Sequence, residues 1–161
     1  MSTNILIYIE VSKNSNIKYE YDEQLKNLIC DRVLPTPFYF PFNYGFIPHT
    51  LSGDGDPLDA IVYMEESLLP NTYINCRIIG ALETTDEKGE DIKIILVPSK
   101  KVSFNEAEIE DITQLPEHFI ERVKFFYKHY KDFEKEKFVK VNNILNKEKA
   151  IEYYQKSIIN I

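Results

Sequence analysis

The sequence predicts an α+β fold, a curled or closed β-sheet with helices packed outside it, and three observations carry that reading. Short β-branched and aromatic segments, separated by Asn, Ser, Lys and Asp, fill the first two thirds of the chain. In the last third apolar residues recur instead every three or four positions. Strands first and helices afterwards is the order that segregates helices to one side of a sheet. Along the chain, Asn4 to Glu10, Ile17 to Tyr21 and Leu28 to Arg32 read as three strands of a meander. From Pro35 to Pro57, five prolines and three glycines interrupt an aromatic run (Phe38, Tyr39, Phe40, Phe42, Tyr44, Phe46), which predicts an ordered, irregular connection packed by its own rings. Tyr73 to Leu82 and Ile92 to Val97 flank the acidic segment 86–91, so that segment is expected at the tip of a β-hairpin turned by Gly89. Phe119, Ile120, Val123, Phe126, Tyr127 and Tyr130, with Pro116 and Glu117 at the first turn, predict an amphipathic helix of about four turns. A second helix is expected from Asn146 as N-cap through Ala150, Ile151, Tyr154 and Ile158.

Composition narrows the function classes. With 161 residues and 43% hydrophobic content, one core can be buried and two ordinary domains cannot, so residues 1–161 are expected to form a single domain. Nineteen basic against 26 acidic residues give a formal net charge of −7, which argues against a nucleic-acid-coating protein, whose affinity rests on neutralising phosphates. Cys30 and Cys76 show neither C-x-x-C nor zinc-knuckle spacing, and reduced thiols in a cytoplasmic protein are the simplest reading. The apolar stretch Ile5 to Ile9 lacks the basic segment and cleavage site of a secretory signal, and no run approaches the roughly 18 apolar residues of a membrane helix.

The densest chemistry lies in Asp54-Gly55-Asp56-Pro57-Leu58-Asp59, three carboxylates in six residues leading into Ala60-Ile61-Val62-Tyr63-Met64. Carboxylates this close repel, so a fold that gathers them needs a cation between them or open water around them. A calcium loop of the EF-hand type fails, because its fifth ligand position would be Leu58. Either acidic segment alone would read as capped turns or a solvated hairpin tip. Two of them, with Asp86, Glu87, Glu90 and Asp91 in the second, point to hard cations held through oxygen. Magnesium is favoured, since it takes few carboxylates, keeps waters and shares its remaining positions with phosphate oxygens. Counter-charges for an anionic substrate stand on separate elements: Lys18, Arg32, Lys93 and Lys131. Tyr44 and Tyr130 add hydroxyl donors. His49, His118 and His129 lack metal-ligand spacing, and no serine has the context of an acyl-transfer nucleophile.

These residues fall into an ordered set: Ile17-Lys18-Tyr19-Glu20, Asp31-Arg32, Asn43-Tyr44-Gly45, the DGDPLD run, the loop from Asp86 to Asp91, and His129-Tyr130-Lys131-Asp132. From Ile7 to about Val141 the chain resembles the soluble family I inorganic pyrophosphatases. That resemblance implies Mg2+-dependent hydrolysis of pyrophosphate to two orthophosphates by a metal-activated water. It implies Asp54, Asp59, Asp86 and Asp91 as magnesium ligands and Asp56 as the base acting on the attacking water. Lys18, Arg32, Tyr44, Tyr130 and Lys131 would hold the phosphates, with Glu10, Glu20 and Lys93 in support. The implied fold is a small closed five-stranded barrel of the oligonucleotide-binding type with two main peripheral helices, in a homo-oligomer, often a hexamer in bacteria. Phe40 and Phe46 stand where many relatives carry tyrosine, and Glu136 and Phe138 where Gly and Trp are usual. A nucleic-acid-binding barrel would need a basic groove with stacking rings, whereas the concentrated charge here is acidic. An inactive, metal-stabilised interaction protein is the other alternative.

Overall fold

The computed structural model describes residues 4–159. Residues 1–3 and 160–161, which the N-terminal and single-domain readings also take in, lie outside them. Five strands close into a ring: β1 (Ile5–Val11), β4 (Asn43–Ile47), β5 (Leu58–Val62), β7 (Gly89–Pro98) and β6 (Thr72–Asp86), with β6 pairing back onto β1. Only β5 and β7 run parallel. β8 (Val139–Leu145) adds to the outer edge of β6, and β2 (Ile17–Asp22) with β3 (Asn27–Val33) forms a separate antiparallel hairpin. The expected α+β class and five-stranded barrel are observed, whereas the N-terminal meander is not. β1 pairs with β4 and β6, and β2 makes no ladder with it.

Side chains of all five ring strands meet in one apolar cluster, including Ile7, Ile47, Ala60, Cys76 and Ile94, which fills the barrel. Alternation along each strand sends the next residues outward. Ile61, Ile79 and Ile95 join a second cluster with Phe40, Phe42, Val123, Phe126 and Tyr127. α1 (Glu117–His129) therefore packs on the outside of the sheet through the stripe that its spacing predicted. α2 (Lys147–Ser157) buries Ala150 against the filled barrel, and the Asn146 side chain caps it by accepting from the Lys149 N–H at 3.0 Å.

The expected irregular connection from Pro35 to Pro57 contains β4, and the acidic run passes directly into β5. Gly45, read as a loop residue, sits mid-strand, where a Cβ would come within 1.8 Å of the Tyr8 carbonyl oxygen of β1. The second acidic segment is mostly ladder, since Asp86 pairs with Gly89 and only Glu87 and Lys88 form the turn. β8 and a short 3-10 turn at Ile112–Gln114 are further elements that the sequence reading did not contain. Among the described residues, no helix is long and apolar enough to cross a membrane.

Candidate active site

A cavity of about 570 Å³ opens where the ends of the barrel strands meet the β2–β3 hairpin and the segment after α1. All thirteen residues to which the resemblance gives a role face it, as does Glu87, whereas Glu90 lies outside it and accepts from the Tyr153 hydroxyl at 3.1 Å. Glu10 comes from β1, Lys18 and Glu20 from β2, Arg32 from β3 and Tyr44 from β4. Asp54 and Asp56 lie on the loop before β5, and Asp59 is in β5. The long hairpin brings Asp86, Asp91 and Lys93, while Tyr130 and Lys131 follow the end of α1. The strand period explains the convergence: Asp91 and Lys93, two apart in β7, share a face, and the parallel register sets Lys93 opposite Asp59.

Lys93 is the hub of this wall. Its Nζ lies 2.8 Å from Asp59 and 2.9 Å from Asp91, and 4.6 Å from the centre of the Tyr127 ring. Burial alone would lower the Lys93 pKa, but the two carboxylates outweigh it and hold the ammonium well above its usual value. Burial, together with Asp59 nearby, raises Asp91 against the opposing pull of Lys93. Burial and the neighbouring Asp54 raise Asp56. Glu10 is pushed up to about 7, chiefly by burial and further by Asp59 and Glu20, although it accepts the Tyr21 N–H at 2.8 Å. The loop before β5 is internally tied: the Ser52 hydroxyl donates to Asp54 Oδ1, which also accepts the Asp56 N–H at 3.0 Å. Lys131 Nζ stands 3.5 Å from Asp86 and 3.4 Å from Glu87.

The cavity wall carries ten Asp and Glu side chains against six Lys and Arg. That surplus repels a multiply charged anion unless cations enter with it. The donors are carboxylate oxygens, which suit a hard divalent ion. Among the described residues no three of them close on one point as a ready-made cage, and Asp59 and Asp91 are joined through Lys93 instead.

Several contributors escaped the sequence reading, Tyr21 and Glu23 on the cavity wall among them. Tyr127, taken as part of the apolar stripe, lies under Lys93. Lys88 and Lys137 face the cavity as further cations. Phe46 also faces it, whereas Phe40 is 1% exposed and packs on Phe126 and Tyr44 outside it. Hence, of the two missing tyrosine hydroxyls, only the one at Phe46 stands on the cavity wall. Glu136, at the position where glycine is usual, adopts φ +63, a left-handed conformation that costs a non-glycine residue about 1–2 kcal/mol.

A closed barrel whose open end gathers ten carboxylates and six cations defines a protein that handles a small, highly charged anion. Residues 7–161 match the family described as inorganic pyrophosphatase. The inorganic pyrophosphatase of Nanoarchaeum equitans is 51% identical over 146 residues, 91% of this chain and 90% of its own length. That of Aquifex pyrophilus is 45% identical over 157 residues, 98% of this chain and 89% of the relative. The structure of the Helicobacter pylori inorganic pyrophosphatase superposes with a TM-score of 0.94 at 41% identity, covering 96% of this chain and 91% of the other. The chain belongs to the inorganic pyrophosphatase family and is, in class, a diphosphatase hydrolase.

Proposed function

We propose that the protein hydrolyses inorganic pyrophosphate to two orthophosphates in a reaction that depends on magnesium. The carrying observation is the cavity in which carboxylates outnumber cations while six aspartates and six Lys and Arg face the same space. Asp54, Asp59, Asp86 and Asp91 would hold the ions. When bound, magnesium supplies positive charge that offsets both the carboxylates and the substrate and lowers the pKa of a bound water. The chain's own groups do the rest. Lys18, Arg32, Lys131 and the hydroxyls of Tyr44 and Tyr130 hold phosphate oxygens, and the cations oppose charge that builds on the leaving phosphate. Water adds to one phosphorus, the bridging P–O bond breaks, and the bridging oxygen leaves with the second phosphate. Asp56 takes the proton of that water, a task that its raised pKa favours. Glu10 and Glu20 support from the β1 and β2 side, and Lys93 sets the separation of Asp59 and Asp91. In this reading residues 1–161 act as one cytoplasmic unit within a homo-oligomer, without nucleic acid or membrane as partner.

The test is phosphate release from pyrophosphate near neutral pH, with and without magnesium, beside ATP as a competing substrate. Rapid release that needs magnesium and is confined to pyrophosphate is expected, and no release with any divalent ion refutes the reading. Asp56→Asn is expected to cut turnover on the order of 10²- to 10⁴-fold with magnesium binding kept, and unimpaired release would remove Asp56 from its role.

A further inference from the structure

We infer that Glu134, which lies outside the cavity wall, is a positioning residue that presents Arg32 to a phosphate group. The inference rests on the reading of Arg32 as a phosphate ligand. Glu134 follows α1 by five residues, and its Oε1 accepts from a terminal nitrogen of Arg32, across from β3. Both side chains are mostly buried, 17% and 19% exposed, so this is not a solvated surface pair. Arg32 faces the cavity and Glu134 does not. The carboxylate therefore grips one edge of the guanidinium from behind and leaves its other donors for an anion in front. Lys137 Nζ, 3.5 Å from the same Oε1, helps to hold the carboxylate in place.

What Glu134 prevents makes the role specific. Asp31 Oδ2, on the cavity wall, lies only 3.5 Å from Arg32 Nε and 3.9 Å from Lys18 Nζ. Arg32 Nε is buried and makes no hydrogen bond among the described residues. Released from Glu134, the guanidinium would turn to Asp31, and its donors would be spent on a protein carboxylate in the space a phosphate needs. A rotamer-rich side chain would then also have to be ordered on binding. Removing a negative charge near the cavity has an opposite, purely Coulombic effect, which would tighten anion binding. Burial of the pair and the position of Asp31 decide for positioning over that effect. Among the described residues the second oxygen of Glu134 is buried without a donor, so the grip is held at one oxygen.

The experiment is titration of the purified protein with inorganic phosphate in magnesium, followed by calorimetry, on wild type, Glu134→Ala, Glu134→Gln, Arg32→Lys and the double variant Glu134→Ala with Arg32→Lys, each checked for an unchanged melting profile. Ordering one freed, rotamer-rich side chain on binding corresponds to as much as about tenfold, so Glu134→Ala is expected to weaken phosphate binding by up to about tenfold. Glu134→Gln keeps an acceptor oxygen and recovers part of that loss. Adding Glu134→Ala to Arg32→Lys should weaken binding little beyond Arg32→Lys alone, because both act through one guanidinium. In the pyrophosphate assay the same loss should appear in KM, with kcat changed about twofold or less. Unchanged or tighter phosphate binding in Glu134→Ala and Glu134→Gln overturns the inference, as do losses that multiply in the double variant. Phosphate binding does not depend on turnover: a wild type that binds phosphate but leaves pyrophosphate intact refutes the functional reading while the five-protein comparison still decides the role of Glu134.

Discussion

At Glu10, a single carboxyl couples the site to stability. Burial first, then Asp59 and Glu20, raises its pKa in the fold to about 7 from an ordinary value of 4.5. The protonated form is thus favoured by folding, and the contribution of this group is fully present below about 4.5 and lost as pH rises through about 7. Asp56 and Asp91, also raised, act in the same direction, whereas Glu87, Glu110 and Asp111, lowered, act oppositely. A comparison with Glu10→Gln isolates the one group, because an amide cannot ionise. In metal-free protein, the stability of Glu10→Gln relative to wild type should rise between about pH 4.5 and 7 and level off above, as read by urea unfolding at a series of pH values. A difference that stays constant across that window would mean that Glu10 ionises in the fold as it does in the unfolded chain.

At the level of elements, the acidic loop between β4 and β5 is held at both ends by one hydroxyl. Thr50 Oγ1 donates to the Ile47 carbonyl at 2.6 Å and accepts the Leu58 N–H at 2.9 Å, and the residue is buried. The chain after α2 braces the same loop, with the Leu51 N–H donating to the Ser157 carbonyl and the Ile159 N–H to that of His49. Thr50→Val keeps the shape but orphans the Leu58 N–H, which should cost about 1–3 kcal/mol and, by loosening Asp54 and Asp56, raise the magnesium concentration for half-maximal activity. Urea unfolding and a magnesium titration check the two halves separately, and full stability would show that the loop is held elsewhere. This region also marks where local pattern stops informing. α1 and α2 were legible because a period of 3.6 and the Asn146 cap are written in neighbouring residues. β4 was not, because Gly45 and the flanking prolines look like loop chemistry, whereas the glycine answers to a strand 36 residues away that passes too close for a Cβ. β8, with Asn142 and Asn143 at its centre and its place on the outer edge of β6, has the weak apolar pattern of an edge strand. The meander failed for the same reason as β4: the partners of β1 are set by barrel closure, a long-range fact. In the site, the two acidic segments were legible through charge density and their individual aspartates through the family resemblance, while Tyr127 and Glu134 act by standing behind Lys93 and Arg32, and nothing in residue type distinguishes such a position from an ordinary helix face or surface turn.

Across the whole molecule, the barrel draws together charges that the unfolded chain keeps apart. Ten carboxylates against six cations around one cavity, in a chain of net charge −7, leave a repulsion that exists only in the folded state. In the proposed reading, an ion that enters the cavity relieves this repulsion and finds its ligands assembled in the fold alone, since Asp54 and Asp59 are separated in sequence from Asp86 and Asp91 by nearly 30 positions. Binding to the native state alone stabilises it by about 2.7 kcal/mol at a hundredfold excess over the dissociation constant. For a domain of this size, that corresponds to a rise in Tm of about 5–10 °C for each such site. Sodium chloride at equal ionic strength screens the exposed charges but has no place among the ligands, so it should give a smaller shift. Asp59→Asn should shrink the magnesium shift and leave the salt response in place. Differential scanning calorimetry of wild type and variant in the two salts makes the comparison, and equal shifts from magnesium and sodium would reduce the ion to a screening role and remove the aspartates as its ligands.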